Sequence, residues 1–452
     1  MSLRRRIAAL GVRIRAIAEA NRPLLSNAAS MVGTAVVTSL LGAAFWWVAT
    51  HYFSKDSVGI ASAAISAMTL LGFLATVGLG TLLMGELPRI KSGHRSIINA
   101  GLLTSGSIGA ALGLAFVVVA PLASSNFDPL SQTWITALTF VLGVALTALT
   151  FVLDQSLIGL LRGGLQLNRN VAFTVVKLVA LIPVAALVAD AGSQWIYGTW
   201  TAGIVISLLA LVRFYRDRGT GSIRPDFKLL KDMRVHAVTH HAVNVALRTP
   251  ELVLPIVVVT FLSASANASF YIAYMITGFM FFVPLSLSTV LYAVGSGESE
   301  RLASRFRLTV FVSLGFGAIS NLVLLVLGTP LLEIFGSSYA SEATGTLHIL
   351  ALDIFPSTIL THYVALRRIQ RRLATAVPVV WGGALLQLAG GVAGALLGGL
   401  TGVAIGWVLG ATVQAIVMTP EVLRALKAAR LDVPGKADPG EDEAELYAAA
   451  PR

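Results

Sequence analysis

The chain has no cysteine among its 452 residues, and only 12% of its residues are charged against 56% hydrophobic. The missing cysteine excludes a disulfide framework and a thiolate metal site. A soluble domain carries about 25% charged residues, so the shortage of charge excludes an ordinary water-soluble surface. Enzyme signatures are absent as well. No G-x-x-x-x-G-K-[ST], H-E-x-x-H or G-x-S-x-G occurs, which removes a P-loop ATPase, a zincin and a nucleophile elbow. The chain is read as no enzyme, with no metal and no cofactor. Acidic residues are outnumbered, 22 against 33 Lys and Arg, giving a net charge of +11. That excess invites a nucleic-acid reading, but its distribution argues for membrane topology.

Apolar runs long enough to cross a bilayer recur along the whole length. They predict twelve spans at residues 24–49, 58–84, 97–122, 134–160, 171–190, 195–212, 236–261, 268–294, 307–328, 343–365, 376–397 and 401–419. The fold class expected is all-α, a polytopic membrane protein. Of the 33 basic residues, 30 fall in seven segments that twelve spans would place on one side. Only Lys55 falls on the other side, and only Lys177 and Arg248 fall inside predicted spans. The positive-inside rule makes both termini cytoplasmic. No short apolar core with a cleavage site precedes Leu24, so a cleavable leader is not expected. Leu3, Ile7, Leu10, Ile14 and Ile17 share a helical face among arginines, as in an interfacial helix or an ordinary basic leader. The tail after Leu431 is acidic and Pro/Gly-bearing and reads as disordered.

The two halves read as a direct repeat. Pro121 in VAPLASSNF and Pro330 in LGTPLLEIFGSSY are 209 positions apart; Trp200-x-x-Gly203 recurs as Trp407-x-x-Gly410 at 207. Ser57 and Asn267, read as loop residues opening spans two and eight, are 210 apart. Six spans per half make the repeat parallel, with its pseudo-twofold along the membrane normal. The domains expected are a basic N-terminal segment 1–23, an N-lobe 24–215, a linker 216–235, a C-lobe 236–425 and a tail 426–452. External loops are short, the longest at about 329–342, with no room for a catalytic ectodomain.

Ionisable groups inside spans are costly and mark pathways or pairs. In span seven His240, His241, Asn244, Arg248 and Glu251 fall within about a 100° arc over about 16 Å of helix. Span one carries Asn27, Ser30, Thr34 and Thr38; span two carries Ser62, Ser66, Thr69 and Thr76. These faces predict a hydrated cleft between lobes lined by spans one, two, seven and eight. The same Ser/Thr stripes also suit helix packing, and Arg248–Glu251 at i, i+3 also suits a structural ion pair. Asp154 ends a stripe of Thr136, Thr139, Gly143, Thr147 and Thr150, and is expected at the depth of Lys177, as an ion-coupling or structural pair. Asp353 lies mid-span in span ten without an obvious partner, beside Thr346 and Ser357, and is a second ion-coupling candidate. His362 reads as interfacial.

Three stretches resemble the polysaccharide-transport family of the multidrug/oligosaccharidyl-lipid/polysaccharide (MOP) flippase superfamily. They are LLSNAASMVGTAVVTSLLGAAFWWVATHYFSKDSVGIASAAISAMTLLGFLATVGLGTLLMGELPRI in spans one and two, PLLEIFGSSYASEATGTLHILALDIFP across spans nine and ten, and GLTGVAIGWVLGATVQAI in the last span. The resemblance implies export of undecaprenyl-diphosphate-linked oligosaccharide across the bacterial inner (plasma) membrane by alternating access, for cell-surface polysaccharide. It implies as partners the lipid-linked oligosaccharide, the bilayer, and the polymerase or glycosyltransferases of glycan assembly, and no nucleic acid. Coupling to H+ or Na+ is left open. Arg248, Glu251, Asn244, Asn27 and His241 are the residues expected at the head group, since guanidinium matches phosphate. A MATE-like multidrug/cation antiporter and a non-transporting glycan-assembly scaffold are the alternatives; span one lacks the carboxylate that antiporters of this superfamily typically use.

Overall fold

Helix caps and breaks divide the chain much as its hydropathy does. In the computed structural model the described residues are 22–90, 93–188, 190–216, 224–227, 237–295, 299–428 and 431. For 22–35, 37, 212–216, 237–238, 293–295 and 299–301 the description is of backbone. The basic leader, the acidic tail and most of the linker lie outside the described residues.

The first half contains α1 (Arg22–Tyr52), α2 (Lys55–Ala75), α3 (Leu79–Glu86), α4 (His94–Ala123), α5 (Trp134–Gly159), α6 (Gly163–Leu187) and α7 (Ser193–Arg216). The second contains α8 (Ala237–Phe261), α9 (Ala264–Gly278), α10 (Phe282–Gly295), α11 (Ser299–Glu333), α12 (Ser337–Ala351), α13 (Ile354–Ile369) and α14 (Leu373–Lys427). Among the described residues eight of these helices and the joined run α9–α10 are long and apolar enough to cross a membrane, and the bent pair α12–α13 makes a tenth. α1 adds another, and α14 is broken at Gly398–Gly399 into two arms. Gly399 takes φ +59° with ψ −143°, a backbone conformation open essentially to glycine, and so permits this turn. Large apolar side chains such as Val118, Val119 and Leu122 on α4 and Leu322, Leu325 and Val326 on α11 face outward, as contact with lipid requires.

Backbone geometry carries the repeat. Ser54 and Ser263 are N-caps of α2 and α9, each accepting from the amide three residues on. Leu161 and Arg371 both adopt left-handed φ, +56° and +54°, at the α5–α6 and α13–α14 turns. Each turn is closed by the same ladder, Arg162 N to Leu157 O and Arg372 N to Arg367 O. Asn267, expected in a loop, is instead fully buried in the first turn of α9. Ser57 likewise sits in the first turn of α2.

The cores place the two halves. One apolar cluster, including Phe45, Trp46, Val58, Ala61, Leu254, Val258, Phe270 and Leu347, unites both halves at the end of the molecule where Lys55 lies. At the opposite end, which bears the basic loops, the cores separate. Leu83, Ile97 and Val152 belong to a first-half cluster, and Leu291, Phe306, Tyr363 and Met418 to a second-half cluster. The halves meet where α2 packs on α8 and α9, and α1 on α10. Their seam is thus fused at the Lys55 end and divides toward the basic end.

Candidate functional site

The Lys55 end of the seam is sealed by polar contacts between the halves. A Cβ on Gly59 would collide with the Ala264 carbonyl oxygen, so only glycine permits α2 and α9 to meet so closely. Asn267 Nδ2 donates to Gly59 O at 2.8 Å and to Ser62 Oγ at 2.9 Å. Asn126 Nδ2 donates to Val259 O at 2.9 Å. Lys55 Nζ lies 2.7 Å from Glu342 Oε1 and 5.0 Å from the centre of the Tyr339 ring, while Ser269 Oγ donates to Glu342 Oε2.

Deeper toward the basic end, the polar stripe of α8 lies along the seam. Arg248 keeps 52% of its side chain exposed, with Nη1 a loose 3.5 Å from Glu251 Oε1. Its guanidinium lies 5.8 Å from the Phe73 ring of α2, in the opposite half. His241 is 5.5 Å from the same ring. Tyr274 Oη donates to Glu251 Oε2 at 3.3 Å. Arg248, Glu251 and His241 therefore sit together between the halves. Asn244 turns to its own half, where its Oδ1 accepts from Arg368 Nη2 at 2.9 Å. Asn27 lies on α1, but its side chain, like those of Ser30 and Thr34, lies outside the described residues. The arrangement offers one accessible guanidinium, one carboxylate and aromatic faces, a set that can hold an oxoanion or an aromatic cation.

The expected pairing of Asp154 with Lys177 does not form. Asp154 binds Arg169 through two bonds, to Nε at 2.7 Å and Nη2 at 2.5 Å, and accepts from Asn170 Nδ2. The cause is depth. α5 and α6 form a hairpin turning at Leu160–Arg162, so the residue opposite 154 is near 170. Lys177 lies eight residues beyond Arg169, about 12 Å along the helix. Arg169, which precedes the expected start of span five at 171, is buried inside α6. Lys177 is buried instead against three rings, 3.6 Å from Trp200, 4.8 Å from Phe173 and 5.1 Å from Phe45. Gly203 allows this close packing, since its missing Cβ would stand 3.0 Å from Lys177 Cβ.

Asp353, expected to lack a partner, occupies the bend between α12 and α13 and accepts from Ser357 Oγ at 2.9 Å. Its Oδ1 is buried with no hydrogen-bond partner among the described residues. His362 is not interfacial. It is fully buried, its Nδ1 bonded to Thr358 O and its ring edge-on to Phe306. Sequence reading also missed Arg368, which lies past the expected end of span ten at 365 but is lodged in the last turn of α13. No group of three or more metal-ligating side chains forms among the described residues.

Comparison with known proteins gives a fold and little sequence. No family model matches the chain. No curated protein matches it. Among solved structures, an inward-facing multidrug resistance MATE family transporter of the MOP superfamily is similar with TM-score 0.66 and 16% identity, covering 87% of this chain and 95% of that one. A MOP superfamily transporter from Pyrococcus furiosus, described as having a binding pocket of reverse polarity that suggests a different function, gives 0.61 and 14% identity, covering 90% and 96%. An outward-facing MATE family transporter gives 0.60 and 15%, covering 90% and 96%. The chain therefore has the all-α, polytopic membrane fold of MOP superfamily transporters.

Proposed function

We propose that the protein is a membrane transporter that moves a lipid-linked oligosaccharide, carried on undecaprenyl diphosphate, outward across the bacterial inner membrane by alternating access. Residues 24–215 and 236–425 act as its two lobes, joined by linker 216–235, with both termini cytoplasmic. The observation that carries this reading is Arg248, a half-exposed guanidinium at the seam whose hold on Glu251 is loose. Glu251 lowers the cost of holding the cation within the membrane in the empty protein; a diphosphate then exchanges for it. The sealed Lys55 end, the divided basic end and the higher likeness to an inward-facing transporter support a resting state that loads from the cytoplasm. An inside-negative potential contributes about 2.3 kcal/mol per 100 mV for each net negative charge carried fully outward. Where coupling to H+ or Na+ occurs, Asp353, with its unpartnered oxygen, is the group proposed to carry it.

The test is accumulation of lipid-linked oligosaccharide on the cytoplasmic leaflet after deletion. Complementation with Arg248→Ala should fail at normal membrane levels, and Arg248→Lys should restore part of the export, since charge persists without the bidentate fork. Normal export by Arg248→Ala would overturn the site. A second reading, a multidrug/cation antiporter, is favoured by the likeness to MATE transporters and by Glu251 bonded to Tyr274, a carboxylate beside an aromatic residue, suited to an organic cation. It predicts drug efflux that is lost in Glu251→Gln and no accumulation of the lipid intermediate.

A further inference from the structure

Most of the cations inside the helices have a local answer to their charge. Arg169 has Asp154, Lys177 has its three rings, and Arg248 has Glu251. Even Arg367, next in sequence to Arg368, is bonded to Glu421 across α14. Arg368 stands apart. Among the described residues its one hydrogen bond is to the neutral amide of Asn244, its guanidinium lies 5.9 Å from the Tyr292 ring, and no carboxylate there pairs with it. Its Nε is buried and finds no partner there. A guanidinium carries five N–H donors, and a half-buried cation with one neutral acceptor is under-satisfied.

Its place gives this deficit a purpose. Asn244 is one helical turn, about 6 Å, nearer the basic end than Arg248 on the same face of α8. Tyr292 is at the end of α10, the helix that meets α1 across the seam. We infer that Arg368 is a second oxoanion-binding residue of the seam, an entry anchor that holds the phosphate of an incoming diphosphate one turn short of Arg248. This rests on the reading of Arg248 as a phosphate anchor. Asn244 holds the empty guanidinium in place, and the phosphate takes the unfilled Nε and Nη donors, forming the charge-assisted fork that carboxylates and phosphates make with arginine. Arg248 then takes the second phosphate or receives the first as the group moves inward. The cleft thus holds two cations on successive turns.

The experiment measures binding to the full chain in nanodiscs with three probes: farnesyl diphosphate, inorganic pyrophosphate and farnesol. The wild type should bind the diphosphates and not the alcohol. Arg368→Gln should weaken diphosphate binding about 10- to 100-fold, the loss expected for a charge-assisted bond. Arg367→Gln removes the same charge from the neighbouring position and should stay within about 2-fold. Should Arg368→Gln fail to fold, Asn244→Asp tests the same point, since it gives the guanidinium an internal counter-ion and should compete with phosphate, weakening binding about 10-fold. Stronger binding of farnesyl diphosphate than pyrophosphate assigns the site to a lipid head group; equal binding assigns it to a free oxoanion. Either is consistent with the anchor only if Arg368→Gln lowers it. Wild-type binding in both Arg368→Gln and Asn244→Asp, with loss in Arg248→Ala, would make Arg368 a tether between helices and leave the transport reading standing. No diphosphate binding by the wild type would overturn both.

Discussion

The two halves share their helix order, caps and turns, yet they handle the same positions differently. Lys177 in the first half corresponds, 210 residues on, to Gln387 in the second. Each faces a glycine of the Trp-x-x-Gly pair, Gly203 opposite Lys177 and Gly410 opposite Gln387. The first half fills the place with a cation enclosed by rings. The second fills it with an amide, Gln387 Nε2 donating to Gln414 Oε1 at 2.7 Å. Ion pairs differ in the same way. Asp154–Arg169 is enclosed within the first half, whereas Arg367–Glu421 lies at the rim of the second, with 31% of the Glu421 side chain exposed. The first half answers Arg169 and Lys177 internally, while its Lys55 reaches Glu342 of the other half; the second carries the polar stripe of α8, with Arg368 against it. A repeat therefore fixes the backbone frame while leaving the chemistry of each half free to diverge.

The sharpest test of that contrast is to break the two ion pairs. Arg169→Ala leaves Asp154 without its counter-charge inside the first half and should destabilise by about 3–5 kcal/mol. Glu421→Ala, at the rim, should cost about 1 kcal/mol or less. Thermal unfolding followed by size-exclusion of the solubilised protein measures both; equal losses would erase the distinction. Replacing Asp154 and Arg169 together by leucine should recover most of the stability, because removing a buried pair whole costs far less than orphaning one member.

The seal offers a second comparison, between two glycines of neighbouring helices. Gly59→Val drives a side chain into the Ala264 carbonyl and should abolish transport while widening spin-label distances across the Lys55 end. Gly42→Val on α1, where nothing stands within 4 Å of an added Cβ, should leave both unchanged. The cage is a smaller matter. Trp200→Leu should lower stability by roughly 0.5–2 kcal/mol through lost cation–π contact, and by clearly less in a Lys177→Gln background that mimics Gln387. A loss that is the same in both backgrounds would make Trp200 a packing residue alone. Smallest is the latch. Lys55→Gln or Glu342→Gln should change the balance of open and closed states at this end by roughly 5-fold or less, as partly exposed pairs are worth about 0–1 kcal/mol. The exchange Lys55→Glu with Glu342→Lys should restore it, and single-molecule distance measurement would expose a swap that fails.

The sequence by itself determined the all-α character of the chain and its many membrane-length apolar segments. Those properties are local or periodic, because the bilayer acts on each segment separately and requires each to satisfy its own backbone. It also placed Arg248 and Glu251 on one helical face, since 100° per residue is enough to do so. Which groups meet was decided only by tertiary structure. Asp154 took Arg169 rather than Lys177 because depth in an antiparallel hairpin is counted from the turn. Lys55 found Glu342, and Asn267 found Gly59, because the halves dock at one end, a fact that no single helix encodes. Arg368 read as a loop charge because charge counting assigns side, not depth. Its late position in α13 and the approach of α8 bring it to Asn244. Contacts between helices depend on rotation, tilt and the small residues that let backbones close on each other, and those terms are set only when both surfaces are present.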